Sequence, residues 1–126
     1  MSTPAASSDT PTDAESAAAV KAVLALMERW QLSDSQQCAV LGIDAAQLAE
    51  WRAGRVELRP VDARSLGLLL SIHRSLRMAF TDPERGYAWV RKPNEAFAGR
   101  SALNVMCEPG GLERVAAYLA AEIMIQ

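Results

Sequence analysis

The sequence holds one histidine and two cysteines in 126 residues. A metal ligand or general base at the one histidine would need partners at helical spacing, and none is there. His73 falls on an apolar stripe and reads as a core or interface residue with one hydrogen bond. Cys38 and Cys107 have no metal-ligand spacing and no disulfide framework. Both sit among apolar neighbours and read as buried free thiols. No Gly-rich loop follows a strand, and no nucleophile–base pair stands out. An enzyme is therefore not expected, nor a cofactor or metal. No apolar run approaches the roughly 18 residues of a membrane span. The N-terminus lacks the basic and apolar regions of a signal peptide, so a cytoplasmic location is expected.

A net positive charge is also lacking. The formal net charge is −2, which argues against a tight, charge-driven nucleic-acid binder. The charge is unevenly spread. Residues 1–28 hold one lysine against four acids, residues 29–80 hold seven arginines against five acids, and residues 81–126 hold five bases against six acids. Only the middle segment has a basic bias, and it is mild.

Half of the residues are apolar, aromatics are few, and β-branched residues do not alternate with polar ones. That balance favours helices. The Ser/Thr/Pro/Ala-rich stretch 1–12 can bury little apolar surface and is expected to be a flexible tail. Asp13 can cap a first helix, on which Val20, Val23, Leu24, Met27 and Trp30 recur at helical spacing. Ser33 and Gln36 form a capping box for a short helix ending at Leu41. Gly42 then turns the chain, Ile43 packs inward, and Asp44 caps a helix carrying Leu48 and Trp51 and ending near Gly54.

A short helix, a glycine turn and a second short helix are the pattern of a helix-turn-helix, or of an ordinary helical hairpin. In the DNA-binding reading, Gln47 is the base reader and Arg52 and Arg55 clamp backbone phosphates. In the plainer reading these arginines are solvated surface charge. Val61 to Phe80 forms a long helix that is apolar on two stripes, which makes it a central helix and a subunit interface.

The most informative stretch is Asp82–Leu119. Asp82-Pro83 starts a helix that must end before Pro93, with Trp89 in its last turn. Pro93-Asn94 reads as a turn, followed by Phe97 and Gly99. Ser101 caps a short helix with Leu103, Val105 and Met106. Pro109-Gly110-Gly111 breaks it, and a closing helix begins near Leu112. On that helix Leu112, Val115, Ala116, Leu119 and Ile123 share one face. The apolar end, Ile123 to Gln126, either folds back onto the core or docks on a partner.

The order Trp89, Pro93-Asn94, Phe97, Gly99, apolar helix, glycine break and closing helix resembles the C-terminal toxin-binding domain of the Xre/MbcA/ParS antitoxins. The resemblance extends more weakly over Trp30 to Phe80, where that family has a helix-turn-helix. It implies an all-α fold: an N-terminal helix-turn-helix bundle over residues 13–60, a long central, dimerising helix over 61–80, and a small C-terminal helical toxin-binding domain over 81–126. It also implies an antitoxin of a type II toxin–antitoxin pair, homodimeric, with operator DNA as one partner. The other partner would be a toxin of the RES-domain class, which degrades NAD, neutralised by occlusion of its active site. Trp89, Pro93, Asn94, Phe97 and Gly99 are expected to build the domain core. Toxin contacts are expected from Arg91, Arg100, Tyr118, Met124 and Ile125, chosen by position and expected exposure. The competing function is a stand-alone helix-turn-helix transcriptional regulator. That reading needs a sensor pocket in the C-terminal half, and no cluster of polar residues there suggests one.

Overall fold

The computed structural model describes residues 13–125, with side chains through residue 122. The predicted tail at 1–12 lies outside the described residues. Seven α-helices follow in order. They are α1 (Asp13–Arg29), α2 (Asp34–Leu41), α3 (Ala45–Arg52), α4 (Pro60–Ala79), α5 (Pro83–Arg91), α6 (Ala102–Met106) and α7 (Gly111–Ile125). Between α5 and α6 lie β1 (Pro93–Asn94), a 3-10 turn (Glu95–Phe97) and β2 (Arg100–Ser101). Among the described residues the fold is all-α but for this pair of two-residue strands. No helix among the described residues is long and apolar enough to cross a membrane.

The helix boundaries follow local chemistry. The Ser33 Oγ accepts from the Gln36 backbone N–H while the Gln36 Oε1 accepts from the Ser33 N–H, closing the capping box on α2. Asp44 Oδ1 accepts from the Gln47 N–H at 2.8 Å and starts α3. Gly42 ends α2 in the left-handed region at φ 69°, which glycine adopts without steric penalty. Asp82 Oδ1 accepts from the Glu84 N–H with Pro83 at the first helical position of α5. Ser101 Oγ accepts from the Asn104 N–H and starts α6.

α4 is the central element. Leu66, Leu69, Ile72 and Leu76 are buried along it, and it packs on α1, α2, α5 and α7. Its start is held by an unforeseen buried carboxylate. Asp62 is 1% exposed and accepts from the Arg59 backbone N–H at 2.9 Å, from Arg59 Nε at 2.9 Å and from Arg59 Nη2 at 2.8 Å. Burial pushes the Asp62 carboxyl up, but its bonds to Arg59 outweigh burial and leave it below its ordinary value. Arg59 Nη2 also donates to the Gly42 carbonyl at 3.3 Å, which fastens α4 to the turn between α2 and α3. Arg64 joins α4 to α7 through Glu113 at 3.1 Å.

Three expectations change. Pro93-Asn94 is an extended strand rather than a turn: Pro93 pairs with Ser101 and Asn94 with Arg100 in antiparallel register. The turn lies further on, where Ala98 and Gly99 take successive left-handed conformations at φ 58° and 84°. His73 lacks the expected hydrogen bond, since its Nδ1 is buried with no partner among the described residues. Cys38 and Cys107 are free thiols, half-buried rather than fully buried.

Candidate functional site

The C-terminal half brings three aromatic rings together. Trp89 comes from the last turn of α5, Phe97 from the 3-10 turn and Tyr118 from the middle of α7. Trp89 and Tyr118 are stacked, with centroids 6.2 Å apart and planes at 8°. Phe97 meets both edge-on, at 5.2 Å from Tyr118 and 6.4 Å from Trp89. Offset-stacked and edge-to-face pairs of this kind are the favoured arrangements for aromatic rings. Phe97 is buried at 2% exposure, whereas Trp89 and Tyr118 are only half-buried. The cluster thus has a buried foot and two rings that reach the surface.

The loop from Pro93 to Arg100 positions Phe97. Asn94 Oδ1 accepts from the Ala96 N–H at 2.8 Å, and the Asn94 carbonyl accepts from the Gly99 N–H at 2.9 Å. Asn94 therefore closes the loop at both ends, and Gly99 supplies the positive φ that the closure needs. Arg114 lies over the Phe97 ring at 5.5 Å from its centroid. Arg114 was missed in the sequence, although its position one helical turn before Tyr118 is a readable signal.

The other expected toxin contacts have bonding partners of their own. Arg91 Nη1 donates to the carbonyls of Trp30 and Gln31, each at 3.2 Å, and so ties α5 to the end of α1. Arg100 pairs with Glu108 and donates to the Asn104 carbonyl at 3.3 Å. The Tyr118 hydroxyl donates to Glu122 Oε1 at 3.4 Å. Met124 and Ile125 fall within α7, but their side chains lie outside the described residues.

In the helix-turn-helix half, Gln47 is half-buried at the exposed start of α3. It lines an open groove with Glu50, Trp51, Arg55 and Val56. Arg55 is bound by Glu50 through two bonds, Nε to Oε1 at 2.7 Å and Nη2 to Oε2 at 2.9 Å. Arg52 is held more firmly. Its Nη2 donates to Asp34 Oδ1 at 2.8 Å and to Gln37 Oε1 at 3.2 Å. Gln37, 1% exposed, donates in turn to Glu28 Oε2 at 2.9 Å and to the Leu32 carbonyl at 3.2 Å. This network knits α1, α2 and α3, so Arg52 is a structural clamp of the motif. The hydrogen bonds to Arg52 and Arg55 hold the Asp34 and Glu50 carboxyls below their ordinary values. Among the described residues no group of three metal-ligating side chains converges.

Comparison with known proteins decides between an ordinary helical bundle and a specific family. The profile of the antitoxin Xre/MbcA/ParS C-terminal toxin-binding domain matches residues 75–122, and that of the antitoxin Xre-like helix-turn-helix domain matches residues 10–71. The chain belongs to the Xre/MbcA/ParS antitoxin family. It is thereby an antitoxin of the type II class, in a family of binding proteins rather than enzymes. The two profiles meet inside α4, between residues 71 and 75, so this helix serves both halves. A relative, the uncharacterized protein y4oB of Sinorhizobium fredii (strain NBRC 101917 / NGR234), is 33% identical over 108 residues, 83% of this chain and 84% of the relative. The crystal structure of the M. tuberculosis MbcT–MbcA toxin–antitoxin complex contains a similar chain. The TM-score is 0.58 at 20% identity, over 83% of this chain and 93% of that chain, a likeness of fold.

Proposed function

We propose that this antitoxin neutralises its cognate toxin through the surface built on Trp89 and Tyr118, and that it covers the toxin's active site. The observation that carries this reading is the pair of half-exposed stacked rings inside the segment matched to a toxin-binding domain. Aromatic anchors next to arginines are the usual composition of an interface hot spot. Arg114 beside Phe97 supplies such a neighbour. Arg91, Arg100, Met124 and Ile125 extend the proposed surface, the first two as charges that set the docking register. The toxin is proposed to be of the RES-domain class, on the strength of the family resemblance.

Operator binding by the helix-turn-helix is the second half of the proposal, with Gln47 reading a base and Arg55 reaching a phosphate. The Arg55–Glu50 pair is no obstacle in principle. Exposed ion pairs contribute little, so a phosphate can displace the carboxylate. With so few base readers per copy, two copies are needed, which makes the working species a homodimer in the cytoplasm. Gln47→Ala and Arg55→Ala are expected to weaken operator binding, and Arg55→Ala is expected to reduce the salt slope by about one. Both should leave the melting curve unchanged. Arg52→Ala is a poorer probe, because it also breaks the network to Asp34 and Gln37.

The decisive experiment is expression of the neighbouring reading frame alone and together with this chain. The expected result is growth arrest with falling NAD when the neighbour is expressed alone, rescue on co-expression, and co-purification of the two proteins. Growth arrest and rescue without a change in NAD would remove the RES class and keep the antitoxin. Purification with no partner, together with tight operator binding by this chain alone, would favour a stand-alone regulator.

A further inference from the structure

An open groove of about 300 Å³ runs between α1, α4 and α5, and nothing proposed above uses it. Its floor is apolar, with Ala22, Ala25 and Leu26 from α1 and Leu70 from α4. Its polar groups are Arg29 from α1, His73 and Arg77 from α4, and Tyr87 from α5. No carboxylate lines it from any of the three helices. Both arginines are exposed at the surface.

The arginines here differ from most others in the chain. Arg52, Arg55, Arg59, Arg64 and Arg100 each rest on a carboxylate. Arg29 and Arg77 pair with none among the described residues. Beside them the His73 Nδ1 is buried without a hydrogen-bond partner. Burial first, and then the Arg77 and Arg29 guanidinium groups, hold His73 below its ordinary value. Two guanidinium groups without a carboxylate partner thus flank the His73 ring over an apolar floor.

We propose that this groove binds a small carboxylate with an apolar body, its carboxylate held by Arg29 and Arg77 and its body resting on Leu26 and Leu70. Guanidinium forks match a carboxylate bidentately. His73 lines the same groove, so a bound anion acts on its imidazole through space. An inorganic phosphate would satisfy the arginines but leave the floor uncovered. The volume is at the lower end of small-molecule sites, which suits a compact ligand.

The single histidine makes the test clean, since the full chain has one imidazole signal. The His73 titration midpoint is measured by NMR at constant ionic strength in chloride, with rising benzoate, with benzamide as its neutral isostere, and with inorganic phosphate. Benzoate is expected to raise the midpoint saturably, by about 0.5 pH unit or more, because a bound anion favours the imidazolium. Benzamide and phosphate are expected to do much less. The double variant Arg29→Gln, Arg77→Gln is expected to titrate at a higher midpoint without ligand and to lose the benzoate response. Its melting temperature should stay at the native value, as both side chains are exposed. No benzoate effect beyond chloride, an equal effect of benzamide or phosphate, or a response kept by the double variant would each overturn the proposal.

Discussion

Gly111→Ala is expected to lower the melting temperature by about 10 °C or more, the largest effect of any glycine-to-alanine change in this chain. A Cβ at Gly111 would meet the Val105 carbonyl oxygen at 1.7 Å, the Val105 carbonyl carbon at 2.6 Å and the Met106 Cα at 3.1 Å. All three are backbone atoms, so no rotamer change relieves the contact. Val105 and Met106 are themselves 1% exposed, and α6 cannot retreat without opening the core. Overpacking of this kind costs about 3 kcal/mol or more. In a chain of this size each kcal/mol moves the midpoint by about 4 °C. Gly110→Ala is the control. Gly110 has φ 76°, but a Cβ there would meet nothing within 4 Å, so only the left-handed backbone is penalised, by about 1–2 kcal/mol. Helix propensity alone predicts the opposite sign for Gly111→Ala, because alanine is the better helix former. A neutral or stabilising result, measured by thermal melting, would show that the close approach of α6 and α7 is not what the glycine serves.

That pair of glycines also shows what can be read in the chain and what cannot. Gly110-Gly111 is legible as a break, since two glycines after a proline interrupt any helix. Their separate duties are not legible, because a left-handed turn and a backbone contact call for the same residue. Caps and turns read well for the same local reason: Ser33, Asp44, Asp82 and Ser101 each bond a backbone N–H within three residues. Features that depend on the packing of other groups read poorly. An aspartate in the first turn of a helix ordinarily faces solvent, yet Asp62 is buried, because the Arg59 fork meets it at the start of α4. Arg52 reads as free to reach a phosphate, yet Asp34 and Gln37 lie across the turn from it. Pro93-Asn94 reads as a turn because strands of two residues have no periodicity to detect. The order of motif residues from Trp89 to Gly99 points to the right family, while their division between core and surface comes only from the packing.

Trp89→Ala and Phe97→Ala are expected to separate along that division. Phe97 is buried and touches both other rings, so its loss should cost about 3–5 kcal/mol of stability and unfold the C-terminal half near physiological temperature. Trp89 and Tyr118 are half-exposed, and removing either forfeits a stacking contact worth about 0.5–1.5 kcal/mol together with part of its buried area. Those two variants should therefore remain folded. Their effect is expected on toxin binding instead, a loss of about 2 kcal/mol, roughly 30-fold in Kd, by titration calorimetry against the co-purified toxin. A double-mutant cycle adds a sharper criterion. Because the rings support each other, the Trp89→Ala, Tyr118→Ala pair should lose less binding than the sum of the singles. If Trp89→Ala melts as early as Phe97→Ala, the ring is core and the surface lies elsewhere. If the folded Trp89→Ala and Tyr118→Ala proteins bind the toxin with native affinity, docking must fall to the arginines and the end of α7, with the aromatic cluster serving only to hold α5 against α7.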